Sequence, residues 1–375
     1  MGHVFKLRSG KWAVRFDVPE HDGKRQQKQI GGFALKSDAE RELVRLEAEI
    51  LDGQYHRASD ISVSEFMRIW LRDYVESNLA FKTQEFYSGL FRNHIEGHFE
   101  RIQISKLRAN QVEAFYRQLA KSGKLSDTSI HHCHKVLRTA LNHAVRWGYI
   151  KSSPMSRVIA PKMPQASIQY WEADTISDAL ELFSGSAIEF HVQIALLTGL
   201  RIGEICALNE KSLDFDQGIL HITHTAQRVT GKGIVFKEPK TKASKSLLPM
   251  TDSVSSILRQ RIHSIKTNRI RYANIYDNQY RGYLSVREDG SFMTPSYVSG
   301  VFRETLQSQE EIPHIRFHDL RHSCASWLLY NGVDLKTIQE VLRHADFSTT
   351  ANTYSHVSSK MKKAALDTLT LPESI

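Results

Sequence analysis

Residues 152–167, "SSPMSRVIAPKMPQAS", place Pro154, Pro161 and Pro164 among small residues with no acidic side chain. A 375-residue chain interrupted by such a segment does not close around a single core. We read residues 156–170 as a linker, with separate folding units on either side.

Upstream of the linker the pattern changes once more. In "KWAVRFDVP", Trp12, Val14, Phe16 and Val18 alternate, which predicts a strand. The turn "HDG" leads to a polar, basic second strand, "KRQQKQIGGF". "LKSDAERELVRLEAEILDG" reads as an amphipathic helix capped by Ser37 and closed by Gly53. Residues 1–60 thus form a small sheet backed by a helix, which suits either an interaction module or a strand face laid in a DNA groove. Residues 61–155 read as helical throughout. Ser62 with Glu65 makes a capping-box pattern, Thr83 and Asn110 open further helices, and "SDTSIHHCHKVLRTALNHAVRWG" carries a long apolar stripe ended by Gly148. The run His131, His132, Cys133, His134 has the residue types of a metal site. Adjacent helix positions point in different directions, however, and no pair has zinc spacing, so a polar helix face near phosphate is the better reading.

Charge is unevenly distributed. Residues 1–36 hold eight Lys/Arg against three Asp/Glu, residues 37–60 three against seven, and residues 61–160 fifteen against eight. Residues 161–375 are nearly balanced, so +8 of the chain's net +9 sits in its first 160 residues and points to a polyanion partner. Three unrelated cysteines, Cys133, Cys206 and Cys324, do not make a disulfide framework. The start has no apolar signal core and no run approaches a membrane span, so we expect a cytoplasmic protein with no membrane contact.

Downstream of the linker, residues 171–360 begin helical and reach "ALLTGLRIGEICAL", where Arg201 lies between two apolar segments. A buried arginine needs an anion, and Glu204 is an internal candidate. Strands follow in "GILHITHT", "GIVFKEPK" and "SKSLLPM", with Lys240 and Lys242 at the expected hairpin tip "PKTKAS". In "FHDLRHSCASWLL", helical spacing puts Leu320, Cys324, Trp327 and Leu328 on one stripe, His318 and His322 opposite, and Arg321 on the flank. The two histidines have zinc-pair spacing, but no Glu follows the first, so the metalloprotease pattern fails.

The order "TGLRIGE", "PKTKAS", "HDLRH", "LRHADFSTTANTY" resembles the tyrosine recombinases, the phage-integrase family. The resemblance covers about 190 residues, from Glu172 to Lys360. It implies a multidomain fold: a small β-sheet plus helix that binds arm-type DNA (1–60), an all-α domain on the core site (61–155), and a mainly α catalytic domain with a small antiparallel sheet (171–360). Residues 361–375 are either a tail that packs on a neighbour or a frayed end. It implies catalytic roles for Arg201, Lys240, His318, Arg321, His344 and Tyr354, with Glu204 supporting. Lys240 matches the family position better than Lys242. The family usually has glycine before the second histidine; here Arg343 stands there, altering a helix end and adding a charge.

The implied activity is site-specific cleavage and rejoining of DNA through a 3′-phosphotyrosine, integrating and excising a mobile element. No cofactor or metal is expected. The implied partners are double-stranded DNA at core and arm sites, three further protomers in a homotetramer, and an excisionase-type directionality factor, with the protein on the nucleoid. Two alternatives use the same fold: a type IB topoisomerase-like relaxing enzyme, and a non-catalytic DNA-binding regulator. The separate N-terminal block argues against the first and the intact six-residue set against the second.

Overall fold

The computed structural model describes residues 2–21, 24–51, 61–164, 169–238 and 246–343. The chain divides into two units, Met1–Gln165 and Ala166–Ile375. Among the described residues no helix is long and apolar enough to cross a membrane.

The first unit opens with an antiparallel sheet of β1 (His3–Lys6), β2 (Trp12–His21) and β3 (Lys24–Phe33), in that order. The alternation in β2 delivers Val14 and Phe16 to a small core, where they meet Ala39 and Leu46 of the helix Lys36–Leu51. Two details depart from expectation. β1 was not foreseen, because "HVFK" is too short to show a period. The helix begins at Lys36, so Ser37 lies inside its first turn rather than capping it.

A second core in this unit is built by helices alone, around Phe66, Trp70, Phe99, Phe115 and Leu137. The helix Val63–Trp70 starts with the expected capping box: the Glu65 amide donates to Ser62 Oγ at 3.1 Å, and the Ser62 amide donates to Glu65 Oε2 at 2.6 Å. It continues through the π-helical turn Leu71–Val75, and the helix Phe81–Leu90 does the same through Phe91–Ile95. The helices Phe81–Leu90 and Ala109–Lys121 start slightly before the expected Thr83 and Asn110.

The helix Asp127–Arg146 corrects the reading of the histidine run. Cys133 and His134 are buried, and His134 Nδ1 pairs with the Tyr116 hydroxyl at 3.1 Å. His131 Nδ1 lies 2.9 Å from the Pro161 carbonyl, and His132 sits edge-on to Phe86. The run knits the helical core together rather than presenting one polar face. It also ties down the expected linker. Met155 is buried in the 3₁₀ turn Pro154–Ser156, and the Ile159 amide donates to Glu113 Oε1 at 3.2 Å.

The second unit packs helices around Trp171, Phe183, Leu196, Phe302 and Phe317. Its strands are β4 (Leu213–Asp214), β5 (Ile219–Ile222), β6 (Thr225–Val229), β7 (Gly233–Lys237) and β8 (Ser246–Pro249). They form two antiparallel sheets, β4-β5-β8 and β6-β7. This corrects the expected hairpin: β7 and β8, which flank "PKTKAS", pair with β6 and β5 respectively and not with each other. Residues 239–245 themselves, with Lys240 and Lys242, lie outside the described residues.

Candidate active site

The helix Glu189–Thr198 is buried along most of its length, and it stops where the sequence changes from apolar residues to "GLR". Gly199 takes the left-handed conformation at φ 62° and ψ 17°, its amide closing the helix on the Ala195 carbonyl at 2.9 Å. Arg201 then caps the next helix, Ile202–Cys206, in an extended conformation. Gly203 lets that helix approach β6: a Cβ there would meet the Ala226 carbonyl oxygen at 2.9 Å. The glycines of "GLRIGE" therefore set where Arg201 and Glu204 stand.

Glu204 is buried and gathers two arginines. Its Oε1 accepts from Arg201 Nη1 at 3.0 Å, and its Oε2 accepts from the Arg201 amide at 2.9 Å and from Arg343 Nη2 at 2.6 Å. Burial alone would raise this carboxyl; Arg343 and the Arg201 contacts outweigh it and hold Glu204 below the usual carboxylate range. The Arg201 side chain keeps 39% of its surface exposed, against 4% for Glu204, so the pair is open on the arginine side.

Arg321 reaches the same place from the helix Leu320–Tyr330. It is buried rather than on a half-exposed flank, because this helix is covered on nearly all sides. Its Nη1 donates to the Gly199 carbonyl at 2.5 Å and its Nη2 to the Leu342 carbonyl. Burial, and next the Arg201 charge, push the Arg321 guanidinium down to about 9. It remains a cation at neutral pH.

His318 does not sit on that helix but in the 3₁₀ turn Phe317–Asp319 before it. Phe317 anchors the turn in the core, and buried Asp319 binds Arg316 at 2.8 Å. His318 is left exposed at the rim, 6.0 Å between ring centroids from half-buried His322 and perpendicular to it. Desolvation, then the Arg321 charge, holds His318 below its ordinary value, with Arg201 adding in the same direction. A neutral imidazole with a free lone pair at pH 7 is the consequence.

Arg201, Glu204, His318 and Arg321 are therefore brought together, from segments more than a hundred residues apart. His344 and Tyr354 lie outside the described residues, as Lys240 does. Arg343, the last residue before that boundary, belongs to the cluster. Its charge was legible in the sequence; its partner Glu204, 139 residues away, was not. The described residues contain no group of three His, Cys, Asp or Glu able to hold a metal ion.

Residues 170–361, just over half of the chain, match the model of the phage integrase family. The chain belongs to the phage integrase family. Residues 4–50 of this integrase match an arm DNA-binding domain, and residues 62–120 match the N-terminal SAM-like domain of phage integrases. The integrase is similar to a tyrosine recombinase XerC-like protein of Caldanaerobacter subterraneus, 28% identical over 97% of each chain. It is also similar to the ICEBs1 integrase of Bacillus subtilis, 24% identical over 98% of each. Among solved structures, a Tn1549 transposon integrase in complex with a circular intermediate DNA superposes with a TM-score of 0.69 at 20% identity, over 83% of this chain and 100% of that one. A lambda integrase tetramer bound to a Holliday junction gives 0.57 at 15% identity, over 92% and 96%. The integrase is a tyrosine recombinase, a site-specific DNA strand transferase of the kind that integrates and excises mobile elements.

Proposed function

We propose that this integrase breaks and rejoins duplex DNA with Tyr354 as nucleophile, forming a 3′-phosphotyrosine and releasing a 5′-hydroxyl. The observation that carries the reading is the convergence of the Arg201 and Arg321 guanidiniums beside His318, close enough for Arg201 to depress Arg321. Two guanidiniums at one place repel each other, and a phosphate relieves that repulsion. In the pentacoordinate state extra negative charge develops on the non-bridging oxygens, where fixed, forked donors stabilise it most. His318, neutral at pH 7, accepts the tyrosine proton. His344 donates to a non-bridging oxygen, Lys240 protonates the departing 5′ oxygen, and Glu204 orients Arg201. The phosphotyrosine keeps the energy of the broken diester, so attack by a second 5′-hydroxyl completes strand exchange.

In this reading residues 1–60 bind arm sites, 61–155 the core site, and 171–360 perform the chemistry, with 156–170 as connector and 361–375 against a neighbouring protomer. Four copies act on two DNA sites on the nucleoid in the cytoplasm, and an excisionase-type factor sets direction. The lambda tetramer on a Holliday junction and the match to an arm DNA-binding domain support this assembly. The test is covalent capture. A nicked suicide substrate, with chelator present, should trap the wild-type protein on a 3′ DNA end and leave Tyr354→Phe free. Capture by Tyr354→Phe would refute the assignment.

A further inference from the structure

Arg343 ends the helix Leu335–Leu342 at φ 57° and ψ 47°, and among the described residues no other non-glycine has a positive φ. An L-residue is strained in this region and glycine is not. The residue is also only 8% exposed, so the chain carries a guanidinium out of water at the same position. Desolvating a charge is costly unless it is paired. Both costs fall on one residue, and its Nη2 makes a 2.6 Å bond to Glu204 Oε2.

That bond changes what Glu204 can do to Arg201. A lone carboxylate facing a lone guanidinium tends to close into a two-bond, neutral pair. Here Oε2 is taken up by Arg343 Nη2 and by the Arg201 amide, and the Arg201 guanidinium is joined to Oε1 through Nη1. Arg343 and Glu204 side chains are each 4% exposed, whereas Arg201 is 39% exposed. The buried arginine satisfies the carboxylate from the protein side, and the exposed one stays at the surface.

We propose that Arg343 is a positioning residue for DNA cleavage: by occupying Glu204 it keeps that carboxylate from drawing in the Arg201 guanidinium, which stays available to the scissile phosphate. The proposal rests on the reading that Arg201 holds that phosphate. Without Arg343, Glu204 and Arg201 neutralise each other and the phosphate has to compete for the same donors.

Arg343→Gly is the decisive variant, because glycine suits the left-handed backbone and removes only the side chain. Single-turnover covalent trapping on the nicked substrate, DNA affinity and thermal unfolding are measured on the full chain. We expect Arg343→Gly to cleave about tenfold or more slowly while binding DNA within about threefold of wild type, a size ordinary for coupled charged neighbours. Its Tm reflects two opposed effects, relief of the left-handed backbone and loss of a partner for buried Glu204, and the rates are compared at a temperature where both proteins are folded. Arg343→Lys, which restores a cation despite the unfavourable backbone, should recover part of the rate. In a Glu204→Gln background, Arg343→Gly should cause no further loss. Wild-type cleavage by Arg343→Gly would overturn the proposal and leave Arg343 as a helix end only. A fall in DNA affinity parallel to the rate would overturn it as well, since Arg343 would then act on DNA binding. Arg201→Ala serves as the separate control: if it cleaves at the wild-type rate, the phosphate assignment itself fails.

Discussion

The Gly199 carbonyl oxygen accepts a hydrogen bond from Arg321 Nη1 at 2.5 Å, across 122 residues of sequence. The carbonyl stands at the C-terminal end of a helix, where the dipole favours a cation, so a backbone end helps hold the charge of Arg321. The geometry depends on glycine. At φ 62° a side chain is strained, and a Cβ on Gly199 would run into the Leu342 side chain, whose own carbonyl is the second acceptor for Arg321. Gly199→Ala should therefore destabilise the second unit by about 1–3 kcal/mol, the range for overpacking added to an unfavourable backbone. It should also slow cleavage by displacing Arg321. Denaturant unfolding beside a cleavage assay checks both. An alanine variant as stable and as active as wild type would show that this contact does not set the arginine's place.

His318 gives a pH dependence with a definite sign. Its folded-state value is depressed by desolvation and then by Arg321, so it loses its proton below 6.5. The acid limb of kcat/KM, which reports the free enzyme, should lie below pH 6.5. Stability follows the same groups. His318 and His322 both resist protonation in the folded state, so the unfolded chain binds more protons below pH 6.5. Their contribution is complete above that pH and is lost as the pH falls through the folded-state values. Thermal melts across this range, with His318→Gln flattening the slope, measure it. A slope that His318→Gln leaves untouched would assign the effect elsewhere.

Lys240 and Lys242 are two residues apart, so in an extended segment they would share one face, and only their chemistry tells them apart. Loss of a general acid slows cleavage by roughly 100- to 10,000-fold. A substrate with sulfur in place of the bridging 5′ oxygen has a leaving group that needs no proton. Lys240→Ala should be slow on ordinary DNA and near wild type on the sulfur substrate, and Arg201→Ala slow on both. Rescue of Lys242→Ala instead would exchange the two roles.

Residues 1–36 carry eight Lys/Arg against three Asp/Glu. Removing residues 1–60 should spare core-site binding and abolish arm-site binding. In the full chain, arm binding should fall steeply with salt, because each phosphate contact releases counterions. Gel-shift titrations at two salt concentrations test this. Equal arm binding by the truncated protein would contradict the assignment.

Much of this was legible because the informative signals are local. The capping box at Ser62 and Glu65 and the strand period of β2 need only neighbouring residues, and both are found in place. The proximity of Arg201, Glu204, His318 and Arg321 was reached through family order, since periodicity carries no information on pairs so far apart. The misses have the same cause. A histidine run reads alike whether its rings face water or, as with His134, a buried tyrosine. Strand pairing is equally non-local: "PKTKAS" reads as a hairpin tip until β7 is seen to pair with β6 and β8 with β5. Arg321 looked like a flank residue because its helix was judged by its own stripe, whereas the Glu189–Thr198 helix and its Gly199 cap cover the other side.

Among the described residues four buried clusters share no side chain: Val14 and Phe16 belong to one, Trp70 and Phe115 to another, Leu196 and Phe302 to a third, Cys324 and Leu342 to a fourth. Each can therefore accumulate changes without repacking the others. With the roles proposed above, this separates the address from the engine: the surfaces assigned to choosing a destination can change without disturbing the arginine cluster assigned to the phosphodiester.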